Sequence, residues 1–288
     1  LYVRRKDPRA LRYLRDVAAD GTAPNAYPFD IFEQTVVLWN LALIKELLDD
    51  DLLSLCHEKL DVLESVWVPG KGVGFATGYA PKDGDDTSIL HEAFTRFGRP
   101  MDIEAVLSYE KPFYFRCYDL ESTPSISANI HVLSALRRAG FSIDHPTVQK
   151  VVFFLKKTQT PDKIWFDKWH MSPYYNAAQA VIACTGYADD VVAGTIEWIL
   201  KTQKEGGAWG YFMPTAEETA YCLQALSIWR QHHSDTIPQD VLERGRTWLV
   251  PRMAPPYPPL WLAKCLYCPE LIVRSVILSA LTLTQEVI

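Results

Sequence analysis

The stretches "KTQTPDKIW" (Lys157–Trp165) and "KTQKEGGAW" (Lys201–Trp209) decide the fold. They share Lys-Thr-Gln, each places a tryptophan six residues after the glutamine, and they begin 44 residues apart. Each follows an apolar segment at helical spacing and leads through a polar or proline-bearing turn into another, "SPYYNAAQAV" and "TAEETAYCLQAL". A more distant echo is "WVPGKGVGF" at Trp67–Phe75. A period of this size is that of a helical hairpin, which cannot bury its apolar face alone and stacks on the next. Stacked hairpins either run on as an open solenoid or close into a ring.

Working outward, apolar residues recur at helical spacing in most segments: Phe32, Val36, Trp39, Leu43 and Leu47 in one, Ala216, Ala220, Leu223, Leu226 and Trp229 in another. Further helices are predicted over Val148–Lys157, Pro173–Cys184, Val191–Thr202, Pro238–Leu249 and Glu270–Leu283. Strand-like alternation is nearly absent, so the fold class is all-α. Segments such as Ser125–Ala139 and Tyr174–Cys184 are apolar on much of their circumference, as the inner ring of a double-layered barrel requires. An α/α barrel is therefore the expected architecture, with the proline-rich Pro251–Trp261 as a rigid connection before the last helix.

At 288 residues and 48% hydrophobic, the chain can bury a large core. The formal charge is -6 and the basic residues are scattered, which argues against a nucleic-acid surface or a polybasic membrane patch. No apolar run approaches the roughly 20 residues of a membrane helix. The six cysteines lie mostly in helical patterns, which suits reduced core thiols; Cys265 and Cys268 form a single Cys-x-x-Cys, without the second pair a zinc site would want. An intracellular, cytoplasmic protein acting on small molecules is the reading. The chain opens on leucine inside an amphipathic pattern, which predicts a piece of a longer polypeptide.

The chemistry-bearing stretch is "APKDGDDTSIL", where Asp83, Asp85 and Asp86 precede a helix carrying Ile89, Leu90, Ala93, Phe94 and Phe97. One reading is a helix cap with solvated neighbours, since Asp and Thr accept the free N–H groups of a first turn. A calcium loop is a poorer match, because the alternating ligands and closing glutamate of an EF-hand are missing. The other reading is a carboxylic acid held neutral: like charges and burial raise the pKa of one member, making it a proton donor at neutral pH.

Asp83-Gly84-Asp85-Asp86-Thr87 resembles the Asp-x-Asp-Asp-Thr motif of class II terpene cyclases, the family of the copalyl diphosphate synthases and distant kin of squalene-hopene cyclases. "PNAYPFDIFE" at Pro24–Glu33 resembles a stretch that those cyclases carry upstream of the motif. "SISANIHVLSAL" (Ser125–Leu136), "DKWHMSPYY" (Asp167–Tyr175) and "LWLAKCLYCP" (Leu260–Pro269) are similar to segments of fungal members in the same order, and fungal members are the expected nearest kin. Gln203, Gly207 and Trp209 match the repeat of the triterpene-type enzymes.

The resemblance implies a β-domain α/α barrel over residues 21–288, with residues 1–20 as the tail of a preceding γ domain. It implies that Asp85 is the general acid protonating the terminal alkene of a linear prenyl diphosphate, geranylgeranyl diphosphate first, to give a copalyl-type bicycle. An alkene is a very poor base, so the donor must be strong and the pocket dry. Asp83 and Asp86 would tune Asp85. Asn129 either orients the acid's proton or caps neighbouring backbone; His131 reads as a satisfied core histidine. Asn25 matches an asparagine that helps hold the water removing the final proton in plant members, and is equally an ordinary turn residue.

Aromatic faces would stabilise the cation, each by roughly 0.5–2 kcal/mol when desolvated. Candidates are Trp165, Trp169, Tyr174, Tyr175, Trp209 and Tyr211, with Trp169 and Tyr174 preferred and the Gln-Trp repeats otherwise read as braces between helices. No metal ligands are assigned. The family's Mg2+ and the diphosphate would be bound mainly by the γ domain, outside this sequence, and bifunctional members append a class I α domain whose motif "LLDDDLL" does not match. The alternatives are a protein prenyltransferase-like barrel, which needs a zinc set of Asp, Cys and His, and a non-catalytic helical-repeat scaffold.

Overall fold

The structure, a computed structural model, describes residues 8–17, 29–77, 81–234, 236–263 and 265–288. Twelve α-helices are seen among them: α1 (Pro8–Val17), α2 (Asp30–Ala42), α3 (Asp50–Val66), α4 (Gly84–Arg96), α5 (Glu104–Leu107), α6 (Ile126–Arg138), α7 (Pro146–Thr158), α8 (Pro173–Cys184), α9 (Asp189–Thr202), α10 (Ala216–His232), α11 (Gln239–Leu249) and α12 (Glu270–Val287). The described sheet is one two-residue hairpin, β1 (Trp261–Leu262) against β2 (Leu266–Tyr267).

The even-numbered helices form a closed ring. Each packs on the next, from α2 through α4, α6, α8 and α10 to α12, and α12 returns to α2. The odd-numbered α3, α5, α7, α9 and α11 lie outside, against one or both of the inner helices that they connect. This is the expected α/α barrel, and burial sorts the layers: every residue of α8 is buried, whereas α3 buries only Cys56, Leu60 and Leu63. That thin apolar face is why periodicity passes over α3. The helix expected to run to Leu47 stops at Ala42 and gives way to a 3-10 turn that leaves Leu47 exposed.

The repeats are the joints between layers. Trp165 Nε1 donates to the Leu155 carbonyl at 2.9 Å, and Trp209 Nε1 donates to the Ile199 carbonyl at 2.7 Å, each reaching back to the outer helix just left. Gln159 and Gln203 reach forward, donating to the carbonyls of Val191 and Val241 in the first turn of the next outer helix, both at 2.8 Å. Buried donors are thereby satisfied at identical places in successive hairpins. The distant echo lacks this bond: Trp67 packs edge-on against Phe94 and its buried Nε1 has no hydrogen-bond partner.

Alternation of inner and outer helices makes all inner helices parallel, so their starts share one end. Four begin with a side-chain cap there: Asp83 for α4, Ser125 for α6, Ser172 for α8 and Thr215 for α10. Neighbouring starts are also tied together. Asp167 accepts from the Ser125 hydroxyl (3.2 Å) and from the N–H groups of Ile126 and Ser127 (3.1 and 3.2 Å), and Glu218 accepts from the Ser172 hydroxyl at 2.5 Å. At the opposite end, Arg96, Arg137, Arg138 and His232 from the last turns of three inner helices surround a polar cavity of about 240 Å³. Among the described residues no helix is long and apolar enough to cross a membrane.

Candidate active site

A cavity of about 270 Å³ opens among the N-terminal starts of the inner helices. One wall is acidic: Asp83, which caps α4, and Asp85 and Asp86 from its first turn. Much of the remainder is aromatic, from Phe29, Phe32, Phe75, Trp169, Tyr175, Trp261 and Tyr267. Phe32 N–H donates to the Phe75 carbonyl at 3.1 Å, and Phe29 stacks on Tyr267 at 5.2 Å, so rings from distant parts of the chain form one surface.

Local backbone presses the acidic turn inward. Gly84 N–H donates to the Cys117 carbonyl at 2.9 Å, and a Cβ built on Gly84 would lie 2.5 Å from the Arg116 carbonyl oxygen, so only glycine permits this approach. Asp83 N–H donates to the Val73 carbonyl at 2.9 Å, and the Thr87 hydroxyl both accepts from Val73 N–H and donates to its carbonyl.

The three carboxylates have three environments. Asp83 is fully buried; its Oδ1 caps α4 by accepting Asp86 N–H at 2.8 Å, and its Oδ2 has no partner. Burial, then the charges of Asp86 and Asp85, push its carboxyl well above the usual range. Asp86 is pushed up to about 7 by burial and the charge of Asp85, against the opposing pull of its bond with Asp83 and of His131. Asp85 is the member open to the cavity, its side chain 18% exposed, and its Oδ1 lies 2.5 Å from His131 Nδ1. The far ring nitrogen of His131 stands 3.5 Å from the Tyr175 hydroxyl. The cap and the raised carboxyls are thus both present, and Asp83 is both at once.

Several expected roles move. Asn129 contacts none of the carboxylates: its Oδ1 accepts Phe115 N–H, and its Nδ2 donates to the carbonyls of Phe115 and Ser125, all at 2.8 Å. It fixes the loop beside the acidic turn, and the polar group on Asp85 is His131, expected from the sequence as a core histidine. Tyr174 points outward to Trp198 of α9, with ring centroids 4.5 Å apart, and Tyr175, one residue and about 100° further round the helix, faces the cavity. Trp165 and Trp209 are the buried braces described above and do not line the cavity. Tyr211 is half-exposed against Phe166 and Phe212. Trp169 does line it. Asn25 lies outside the described residues. Trp261 and Tyr267 were hidden by sequence distance, because the proline-rich connection carries them back to the acid.

Among the described residues no cluster of three or more His, Cys, Asp or Glu side chains is arranged to hold a metal ion. Asp83 Oδ2 and Asp86 Oδ1 are buried and without a hydrogen-bond partner, yet with Asp85 they form no such cluster. They do not fit a magnesium site, and no chemical step below passes through the ion.

Residues 118–237 match the family described as the squalene-hopene cyclase C-terminal domain. A type B diterpene cyclase of Mycobacterium tuberculosis is 44% identical over 99% of this chain and 58% of its own length. An ent-copalyl diphosphate synthase of a Streptomyces species is 35% identical over 72% of this chain and 42% of its own. Among solved structures, the ent-copalyl diphosphate synthase from Streptomyces platensis superposes with a TM-score of 0.84 at 32% identity, covering 97% of this chain and 56% of that one. The chain thus spans about half the length of the curated relatives it matches. These relatives are bacterial, and a fungal copalyl diphosphate synthase from Talaromyces verruculosus stands at 29% identity. The expectation of nearest kinship with fungal members is therefore corrected.

Proposed function

Because the chain belongs to the class II terpene cyclases, we propose that it carries the proton-donating half of an enzyme that closes a linear prenyl diphosphate, geranylgeranyl diphosphate by preference, into a copalyl-type bicycle. One observation carries this reading: of three crowded carboxyls, Asp85 alone combines a histidine contact with exposure to an aromatic cavity. His131 donates to Oδ1, which leaves the proton of the neutral acid on Oδ2, facing the substrate. Transfer forms a C–H bond from the terminal alkene's π pair and leaves a tertiary cation, later alkenes attack it in turn, and the last cation loses a proton from an adjacent carbon to give the product alkene. Burial first, and then the charge that Asp85 carries once it has given up its proton, push the carboxyls of Asp83 and Asp86 up, so neither adds a second anion beside it. His131 N–H then stabilises the Asp85 anion left behind.

In this proposal residues 21–288 act as the β domain and residues 1–20 as the end of a γ domain. The remaining polypeptide supplies the diphosphate and Mg2+ site, and the γ domain and any class I α domain are intramolecular partners. Cytoplasmic placement belongs to the same proposal, supported by the buried thiols Cys56, Cys117, Cys184 and Cys222.

The test is incubation of the full-length polypeptide with geranylgeranyl diphosphate and identification of the dephosphorylated product. A bicyclic diphosphate is expected. Asp85→Asn is expected to lower its formation by roughly 10³-fold or more with substrate binding retained; an unaltered rate would overturn the assignment. Residues 1–288 alone are expected to be inactive.

A further inference from the structure

The ring of six inner helices sets α10 diametrically across from α4, and a second carboxylate stands at its start. Glu217 and Glu218 are consecutive and both buried, with different partners. Glu218 holds helix starts together, accepting from the Thr215 and Ser172 hydroxyls and from Tyr211 N–H. Glu217 turns to the aromatic wall, where three donors converge on Oε1: Trp261 Nε1 at 2.7 Å, the Tyr221 hydroxyl at 3.0 Å and His170 Nε2 at 3.3 Å.

Two details make this an anion without a counter-ion. His170 Nδ1 accepts Ser172 N–H at 3.1 Å, so its proton sits on Nε2 and the ring is neutral. Glu217 Oε2 is buried and has no hydrogen-bond partner, so the charge that the three donors draw to Oε1 is only partly compensated. Among the described residues no lysine or arginine pairs with Glu217. A buried charge is costly unless something compensates it.

The missing compensation lies on the far side of the rings. Glu217 does not line the cavity, but Trp261 does, and so does Tyr175, on which His170 stacks at 4.8 Å with planes 22° apart. Tyr175 and Trp261 meet at 5.1 Å. We propose that Glu217 is a positioning residue that also supplies the standing counter-charge for the cation formed after Asp85 donates its proton. This rests on the cyclase reading above. The field of Glu217, acting through Tyr175 and Trp261, draws the growing positive charge across the barrel and away from the Asp85 anion, so that ring closure outruns return of the proton. Glu217 neither gives nor takes a proton. Such a group favours the transition state over the uncharged reactive end of the substrate.

The test is steady-state kinetics, product analysis and thermal unfolding of full-length Glu217→Gln and Glu217→Asp. For Glu217→Gln, which keeps the shape and the Oε1 acceptor, kcat is expected to fall about 100-fold. KM is expected to stay within about threefold, monocyclic and prematurely quenched products to rise, and Tm to hold or increase as the uncompensated charge is removed. Glu217→Asp should recover part of kcat. A Glu217→Gln enzyme with wild-type kcat, or one whose KM rises and Tm falls in parallel, overturns the inference and leaves Glu217 a structural hub. If wild type forms no cyclised product, the cyclase reading falls first and this inference with it.

Discussion

Asp86 and Glu92 are both buried on α4, six residues apart, one near each end of the barrel. Burial alone raises both pKa values, yet Asp86 rises to about 7 and Glu92 falls to about 2. Their neighbours make the difference. Around Glu92, Arg96 Nε at 2.7 Å, Arg138 and a 2.7 Å hydrogen bond from Trp39 Nε1 overcome the desolvation. Around Asp86 the nearest charges are other aspartates, and the first-turn N–H groups of α4 do not outweigh them. A helix dipole is a weak field beside an adjacent charge. At equal depth, company decides which carboxyl is pushed up and which is pulled down.

That contrast can be broken most strongly at Glu92. Glu92→Gln leaves two half-buried guanidiniums facing a neutral amide and is expected to cost about 3 kcal/mol at pH 7 by denaturant unfolding. A folded pKa below the ordinary 4.5 contributes stability above that value, lost as pH falls toward 2, so the difference between variant and wild type should close in acid. Asp86 has the opposite sign. Its raised folded pKa contributes stability that is complete below 3.8 and lost as pH rises through about 7. Asp86→Asn should therefore match wild type near pH 4 and exceed it by about 2 kcal/mol at pH 8, read as Tm against pH, while turning over poorly. The smallest effect is expected away from both ends: Trp209→Phe loses one buried hydrogen bond, about 1 kcal/mol, with the product distribution unchanged.

The ring was legible because its joints are chemical. Gln203 and Trp209 use polar atoms to reach fixed backbone groups, and that demands the same residues at the same spacing in each hairpin. The acidic cluster was legible for a similar reason, since three aspartates at a helix start need an explanation. What escaped notice was rotation. In α8 and α6 nearly every side chain is buried, so apolar periodicity no longer marks a face, and nothing in "SPYYNAAQAV" says which tyrosine turns to the axis. The same loss of phase hid His131 behind Asn129. Phe29, Phe75, Trp261 and Tyr267 lay beyond reach because only ring closure makes them neighbours.

That closure joins α12 to α2, residues that lie at opposite ends of the described ring. On the ribosome, α4 and its aspartates emerge long before Trp261, Tyr267 and α12. Until those segments are synthesised, one flank of the cavity stays open to water. The order of synthesis thus leaves the aspartates beside an unfinished wall, and closure of the ring completes it.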